Sequence, residues 1–238
     1  WSYKFPGLTL SSTSLYRERR TLFAFDGDGV GPAELARVRA RNPGSAAASD
    51  PNNENVTRDR TKNWFQDLHV NGDVGFVNWL AGFEFVKFRS RGDNTTGRTP
   101  NAANGQSPGT VAPVALDVES KALYGLVGFD LGQVNLTAEG RYSTDKRSID
   151  ISRFDRRTGL PVTPSRFTVS GKTSPENFNY TLSAGWKFRP EWLLYGKIGT
   201  AFRAGSFNTD LGDPRGRPIS LSYDDEKSTT YEAGLKGN

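Results

Sequence analysis

From Leu193 to Asn208 the chain reads LLYGKIGTAFRAGSFN, and its positions alternate. Leu194, Gly196, Ile198, Thr200 and Phe202 are apolar or small, while Tyr195, Lys197, Gly199, Ala201 and Arg203 fill the places between. A period of two puts successive side chains on opposite faces of a β-strand. The same pattern recurs and predicts about eight strands. Leu8–Phe25 alternates imperfectly. In Arg60–Val70, Trp64, Gln66, Leu68 and Val70 oppose Asp67 and His69. Gly75–Phe88 sets Val77, Trp79, Ala81, Phe83 and Phe85 against Asn78 and Glu84. The fourth, about Asp117–Leu131, has an ambiguous facing. Gln133–Arg147 opposes Val134, Leu136, Ala138, Gly140 and Tyr142 to Asn135, Thr137, Glu139, Arg141 and Ser143. Asn177–Phe188 opposes Phe178, Tyr180, Leu182, Ala184, Trp186 and Phe188 to Asn179, Thr181, Ser183 and Lys187. The opening stretch is the seventh. In the eighth, Thr229–Asn238, Tyr231, Ala233 and Leu235 oppose Glu232, Gly234 and Lys236.

The connections alternate in length. Short ones are expected at Asn71–Asp73, at Asp130–Gln133 and at Arg189–Glu191, the first on the strength of an Asn-Gly hairpin signal. Long ones are expected at about Asp26–Arg60, Ser90–Leu116, Arg153–Ser165 and Asn208–Ser222, all rich in turn-forming residues. This rhythm gathers the tight turns at one end of an up-and-down sheet and the long loops at the other. Outer-membrane barrels have that asymmetry. Soluble sandwiches, joined by Greek keys, have no reason for it.

Two solvents then explain the two faces. A tilted strand crosses the hydrocarbon core in about 9–11 residues, and the last strands offer that length with no charge on the apolar side. Leu136, Leu182, Leu194, Ile198, Phe202 and Leu235 are expected to meet lipid. Asp67, His69, Glu139, Arg141, Lys197, Glu232 and Lys236 are expected to face a wet lumen, because a Lys or Arg turned to mid-bilayer lipid costs roughly 2–4 kcal/mol. Trp186, Phe188 and Trp192 surround a short turn, as an interfacial girdle would, with Tyr142 and Phe202 nearer the other rim. The fold class is therefore all-β, an antiparallel up-and-down transmembrane β-barrel segment. Backbone groups in lipid must all be paired, so such a sheet must belong to a closed barrel. An arc of a wider barrel is expected, residues 1–238 forming one partial barrel domain inside a longer polypeptide.

Composition narrows the alternatives. Aromatics make up 12% of the chain and glycines number 26, a mixture suited to pleated surfaces rather than helices. No window approaches the apolar run of a membrane helix, which says nothing against strands. With no cysteine there is no disulfide or thiolate site. The net charge of +5 is scattered, and no nucleic-acid partner is expected. His69 is the single histidine and has no obvious partner ligand, so no metal and no cofactor are expected. The Asp26–Pro32 stretch, DGDGVGP, hints at a calcium loop but lacks its closing glutamate. Asp224, Asp225 and Glu226 are not organised with a nucleophile, and no enzyme activity is expected.

Several stretches resemble the barrel strands of TonB-dependent outer-membrane receptors. Gly140, Arg141, Tyr142 and Asp145 match that family's Gly-Arg-Tyr-x-x-Asp strand. Tyr195, Phe202, Arg203, Gly205 and Phe207 match its Tyr-then-Phe-Arg-x-Gly-x-Phe strand, and Glu226, Tyr231, Glu232, Gly234 and Lys236 its Glu-x-x-x-x-Tyr-Glu-x-Gly-x-Lys strand. WFQDLHVNG is similar to a further strand, with Asp67 and His69 for the usual Glu and Arg, and Trp79 and Gly82 fit a Trp-x-x-Gly strand. The resemblance implies a 22-stranded barrel in the outer membrane of a Gram-negative bacterium. It also implies a plug domain and TonB box not recognisable here, through which the TonB complex would act, and a large scarce nutrient as ligand, an iron-siderophore complex being the commonest class. Arg203 and Asn208 are the candidate ligand contacts at the outer lumen. A structural role, with Arg203 paired to Glu139 or Glu232, is preferred for the arginine. The competing readings are a small complete outer-membrane barrel with a structural or adhesion role, and a soluble β-sandwich binding module.

Overall fold

A computed structural model describes residues 1–26, 37, 40–41, 53–98, 109–155, 158–161, 169–208, 220 and 222–237. Strands β1 (Ser2–Phe5), β2 (Leu8–Asp26), β3 (Asn53–Val74), β4 (Val77–Arg98), β5 (Thr110–Asp130), β6 (Val134–Ile151), β9 (Glu176–Arg189), β10 (Trp192–Arg203) and β13 (Glu226–Gly237) stand side by side in that order. Short strands complete the set: β7 (Phe154–Asp155) on β5, β8 (Val169–Thr173) on the upper part of β6, and the separate pair β11 (Ser206–Phe207) and β12 (Ser222–Tyr223). Every pairing is antiparallel, and each main strand pairs with the main strands next to it in sequence. The sheet does not close on itself among the described residues. β1 and the upper length of β2 form one open edge and β13 the other.

The tight connections at Pro6–Gly7, Gly75–Phe76, Leu131–Gln133 and Pro190–Glu191 all lie at one end, here called lower. The first hairpin is not where Asn-Gly suggests. Asn71 and Gly72 remain in β3, paired to Leu80 and Trp79, and the chain turns at Gly75 with φ +60. Gly72 is needed within the strand because the Gly7 carbonyl oxygen of the neighbouring turn lies 2.5 Å from where a Cβ would stand, with the Trp79 ring next to it at 3.2 Å. Gly75 supplies the left-handed first position that a two-residue type II′ turn requires. β1 is a further departure: Ser2–Phe5 is too short to show a period, yet it pairs with Leu8–Ser11.

β3, β4 and β5 also run well into the expected long loops, with β3 starting at Asn53, β4 reaching Arg98 and β5 starting at Thr110. Those extensions pair residue for residue, but their outward positions mix charged residues such as Arg58, Arg91 and Asp93 with Val56, Thr95, Val111, Pro113 and Ala115, so no apolar period betrays them. The small buried core sits in this upper region, where Ile149, Ile151 and Phe207 pack with Val114 and Leu116.

Candidate functional site

The register sorts side chains into two faces, because directly paired residues in an antiparallel sheet point the same way. One row runs Gly72, Trp79, Val127, Ala138, Leu182, Ile198, Tyr231 across seven strands. Another runs Leu68, Phe83, Leu123, Tyr142, Phe178. Between them and below, this face carries no Asp, Glu, Lys or Arg from β3 to β10, and many of the large residues on the face are exposed, among them Leu123 62%, Phe178 59% and Tyr231 76%. Leu136, Leu182, Leu194, Ile198, Phe202 and Leu235 all share it. So apolar and so exposed a surface needs an apolar partner. The register also sets the facing of the two strands that alternate poorly: Leu8, Leu10 and Tyr16 of β2, and Leu123, Val127 and Phe129 of β5, lie on this face.

The opposite face is polar. Asp67, His69, Glu139, Arg141, Lys197, Glu232 and Lys236 all share it. Its centre is a linked cluster on β3, β4, β5 and β6. The Tyr124 hydroxyl donates to one Asp67 carboxylate oxygen, and the other lies 2.6 Å from His69 Nδ1. Asp67 faces Glu84 directly in the register, a like-charge pair that Arg141 offsets by a 2.5 Å ion pair to Glu84 while lying over the Tyr124 ring at 5.8 Å. Gly82 makes this possible: paired to Tyr124, it leaves room for the ring where any Cβ would collide. Farther along, Tyr195 lies over Gly234 in the same manner, donates to Glu232 at 3.0 Å and receives Lys236 over its ring at 5.1 Å. Beside the central cluster, Tyr124, Glu139, Arg141, Asn179 and Thr181 line a groove of about 370 Å³. Tyr124 was not among the sequence candidates. A glycine facing an aromatic across two strands is its only signature, and that needs the register.

Arg203 and Asn208 are not gathered around this groove. Arg203 pairs with Glu226, its register partner, at 3.4 Å with both side chains exposed, and not with Glu139 or Glu232, which lie on other rows. The two-residue-per-row geometry puts Glu232 opposite Lys197 instead. Asn208 Nδ2 donates to the Ser220 carbonyl at 2.6 Å. The segment between them is a corner: Gly205 N–H donates to Asp225 at 2.8 Å, Arg147 reaches the Ala204 and Gly205 carbonyls at 3.4 and 3.3 Å, and Phe207 packs on Gly171. Asp225 and Glu226 thus hold backbone and arginine at the corner. Among the described residues no group of three His, Cys, Asp or Glu side chains is placed to hold a metal ion. The calcium-loop stretch after Asp26 lies outside the described residues.

Above the Tyr142 row the apolar face turns charged. Glu119 is bound by Lys121 at 3.1 Å and Lys87 at 3.6 Å, and Asp117 by Arg89 at 3.3 Å and by Arg91. The Lys121 hydrogen bond, helped by the charges of Lys87 and Lys146, holds the Glu119 carboxyl below the usual glutamate value.

An open antiparallel sheet with one exposed apolar face, one charged face and all tight turns at one end defines a segment of a transmembrane β-barrel. The chain belongs to the family described as TonB dependent receptor-like, beta-barrel, whose profile matches residues 1–238. No curated protein matches it. Among solved structures it is similar to the ferric yersiniabactin uptake receptor FyuA from Yersinia pestis, with a TM-score of 0.72 and 17% identity over 100% of this chain and 32% of that one. It is also similar to the siderophore receptor PiuA from Acinetobacter baumannii, with a TM-score of 0.63 and 14% identity over 97% of this chain and 35% of that one. The copper transporter OprC gives a TM-score of 0.63 and 12% identity, over 97% of this chain and 33% of that one. The chain thus spans about a third of each of these proteins.

Proposed function

We propose that residues 1–238 form part of the wall of a TonB-dependent transporter in the outer membrane of a Gram-negative bacterium, with the apolar face against lipid and the polar face toward the lumen. The observation that carries this is the exposed apolar band, which from β3 to β10 carries no Asp, Glu, Lys or Arg up to the Leu68–Phe178 row, backed directly by the linked charges of Asp67, Glu84 and Arg141. Only a sheet with lipid on one side and water or a plug on the other is stable with both faces as they are. The wall is passive: TonB, driving from the inner membrane, would act on a plug, and the lumen face supplies a rigid polar lining.

An iron-siderophore complex is the ligand class this reading favours. One similar structure is described as a siderophore receptor and another as a ferric yersiniabactin uptake receptor. Copper fits the chain less well, since the soft and imidazole ligands that suit it are scarce: no Cys, no Met and one His. The test is growth of a receptor-deletion strain, complemented with the full-length gene, on a panel of ferric siderophores and copper salts as sole sources. Restored growth on one or more ferric siderophores is expected; restoration on copper alone refutes the ligand class.

A further inference from the structure

The β10–β13 hairpin does not end at Arg203. β11 and β12 pair Ser206 with Tyr223 and Phe207 with Ser222, which continues the β10–β13 register without a shift. One hairpin is therefore bent at Ala204–Gly205 and Asp224–Asp225, and its upper arm lies on the polar-face side of β6 and β8. Phe207 is buried there against Ile149 and Ile151, its ring filling the space that a Cβ on Gly171 would take. Gly205 permits the bend, since a Cβ there would stand 2.3 Å from the Tyr223 carbonyl oxygen. The wall beside the hairpin runs on straight. β8 continues the β6–β9 register past Pro175, while the β9–β10 ladder stops at Thr181 and Gly199. Above that point no described strand pairs with the β10 side of β9 and β8. The Tyr180 N–H points to that side and donates to the Thr200 hydroxyl at 3.0 Å, whereas the Pro175 carbonyl points the other way and accepts from the Asp145 N–H at 2.9 Å. By strand alternation the N–H and C=O groups of Phe178, Glu176, Ser174 and Lys172 form an open edge among the described residues.

We propose that the upper arm of this hairpin has two seats: the inner one, folded onto β6 and β8, and an erect one in which it straightens at Gly205 and zips onto the open edge of β9 and β8. An open edge is a template for a strand, and the arm already fits it. Continued upward, the β9–β10 register sets Ala204 opposite Glu176, Ser206 opposite Ser174 and Asn208 opposite Lys172. The two seats exclude each other, and each satisfies what the other leaves bare. The inner seat buries Phe207 with Ile149 and Ile151, yet it leaves the edge to water and Arg147 Nε and Asn177 Nδ2 buried without a hydrogen-bond partner. The erect seat pairs the edge and uncovers the apolar patch of Val114, Leu116, Ile149 and Ile151. Such a balance of two packings makes a two-state element. The folded arm adds a second layer about 10 Å thick to the wall, so a change of seat widens the outer mouth on this side. That consequence rests on the reading of the polar face as the lumen; the two seats themselves do not.

The test places spin labels at Tyr223→Cys and Lys146→Cys of an otherwise cysteine-free full-length receptor in outer membranes, with the distance read by double electron–electron resonance. The distance of the inner seat is expected to dominate. Gly205→Ala crowds the bend but not a straight ladder, and it is expected to lower the inner-to-erect ratio about 10- to 100-fold. A second discrete peak, displaced by about 10 Å, is expected to appear with it. Phe207→Ala is expected to shift the ratio the same way by about 100-fold or more. Lys172→Pro removes a donor from the open edge and none from the β6 ladder, so in the Gly205→Ala background it is expected to abolish the second peak. One unchanged distance in both the Gly205→Ala and Phe207→Ala receptors overturns the proposal. So does a broad distribution that Lys172→Pro leaves as it was, which marks a frayed tip with no second seat. Leu116→Cys, probed on intact cells with a membrane-impermeant polyethylene glycol maleimide, separates the two levels. Its reaction is expected to be about ten-fold faster with Gly205→Ala, following the erect population. Shifted distances with no reaction in either background uphold the two seats and sink the lumen reading alone.

Discussion

Ile198→Arg and Lys197→Ala are adjacent on β10 and point to opposite faces, so together they test which face meets lipid. Ile198 shares its row with Leu182 and Tyr231, and Lys197 shares the other with Ser183 and Glu232. At about 3.3 Å per residue and a tilt of about 40°, the strand climbs about 25 Å from Trp192 to Phe202, the height of an outer-membrane apolar band. Ile198 stands about 15 Å up on the same arithmetic, near the middle of that band. An arginine at this depth costs roughly 2–4 kcal/mol, or roughly 30- to 700-fold in the ratio of assembled to unassembled barrel. Lys197 has no ion pair to lose among the described residues, and its truncation is expected to fall within about 0.5 kcal/mol. The assay is the heat-modifiable gel shift of the full-length receptor in outer-membrane fractions, with urea unfolding of the purified barrel for the magnitude. Ile198→Arg is expected to lose most of the folded band and Lys197→Ala to keep it. Equal behaviour of the two, or greater damage from Lys197→Ala, refutes the facing.

Gly82→Val forces the Tyr124 ring out of its seat and off Asp67; a loss of about 1–3 kcal/mol is expected in urea unfolding, with Gly82→Ala smaller in the same direction. Tyr124→Phe keeps the ring and removes only the hydroxyl donated to Asp67, which retains His69 as a partner, so about 1–2 kcal/mol is expected in the same measurement. Phe207→Ala removes the largest member of the Ile149–Ile151 core and is expected to cost about 3–4 kcal/mol of local stability, seen as faster limited proteolysis near the corner with an unchanged gel shift. Arg203→Ala breaks an exposed pair worth about 0–1 kcal/mol, and unchanged stability with unchanged ferric-siderophore uptake is expected; a ten-fold loss of uptake makes Arg203 a ligand contact after all.

The long strands, their alternation and the segregation of tight turns were legible because each is written along the chain. Legibility failed where the environment changed height. In β3 and β4 the outward residues above Trp64 and Phe85, such as Lys62, Lys87 and Arg89, are as polar as the inward ones, so a paired strand reads like a loop. The Asn71-Gly72 signal misled because the backbone of the Gly7 turn crowds Gly72 inside the strand, a demand made by the neighbouring hairpin. The site shows the same limit. Asp67, His69 and Arg141 could each be assigned a face from local pattern, but the union of Asp67 with Tyr124 spans 57 positions and that of Arg141 with Glu84 likewise. Arg203 found Glu226 because the register, fixed by the whole β10–β13 ladder, set them opposite.

The strand order carries a consequence for how this wall is built. Since every main ladder joins sequence neighbours, each hairpin can form on its own and then serve as the template for the next stave. Such a path has low contact order at every step and requires no early meeting of distant segments. It also leaves one raw edge exposed at every intermediate stage, an invitation to mispairing. Growth of this kind calls for a catalyst that shelters the edge until the last seam is sewn, and the β10–β13 hairpin, whose strands are shorter than β3 or β4, presents the smaller edge to be sheltered.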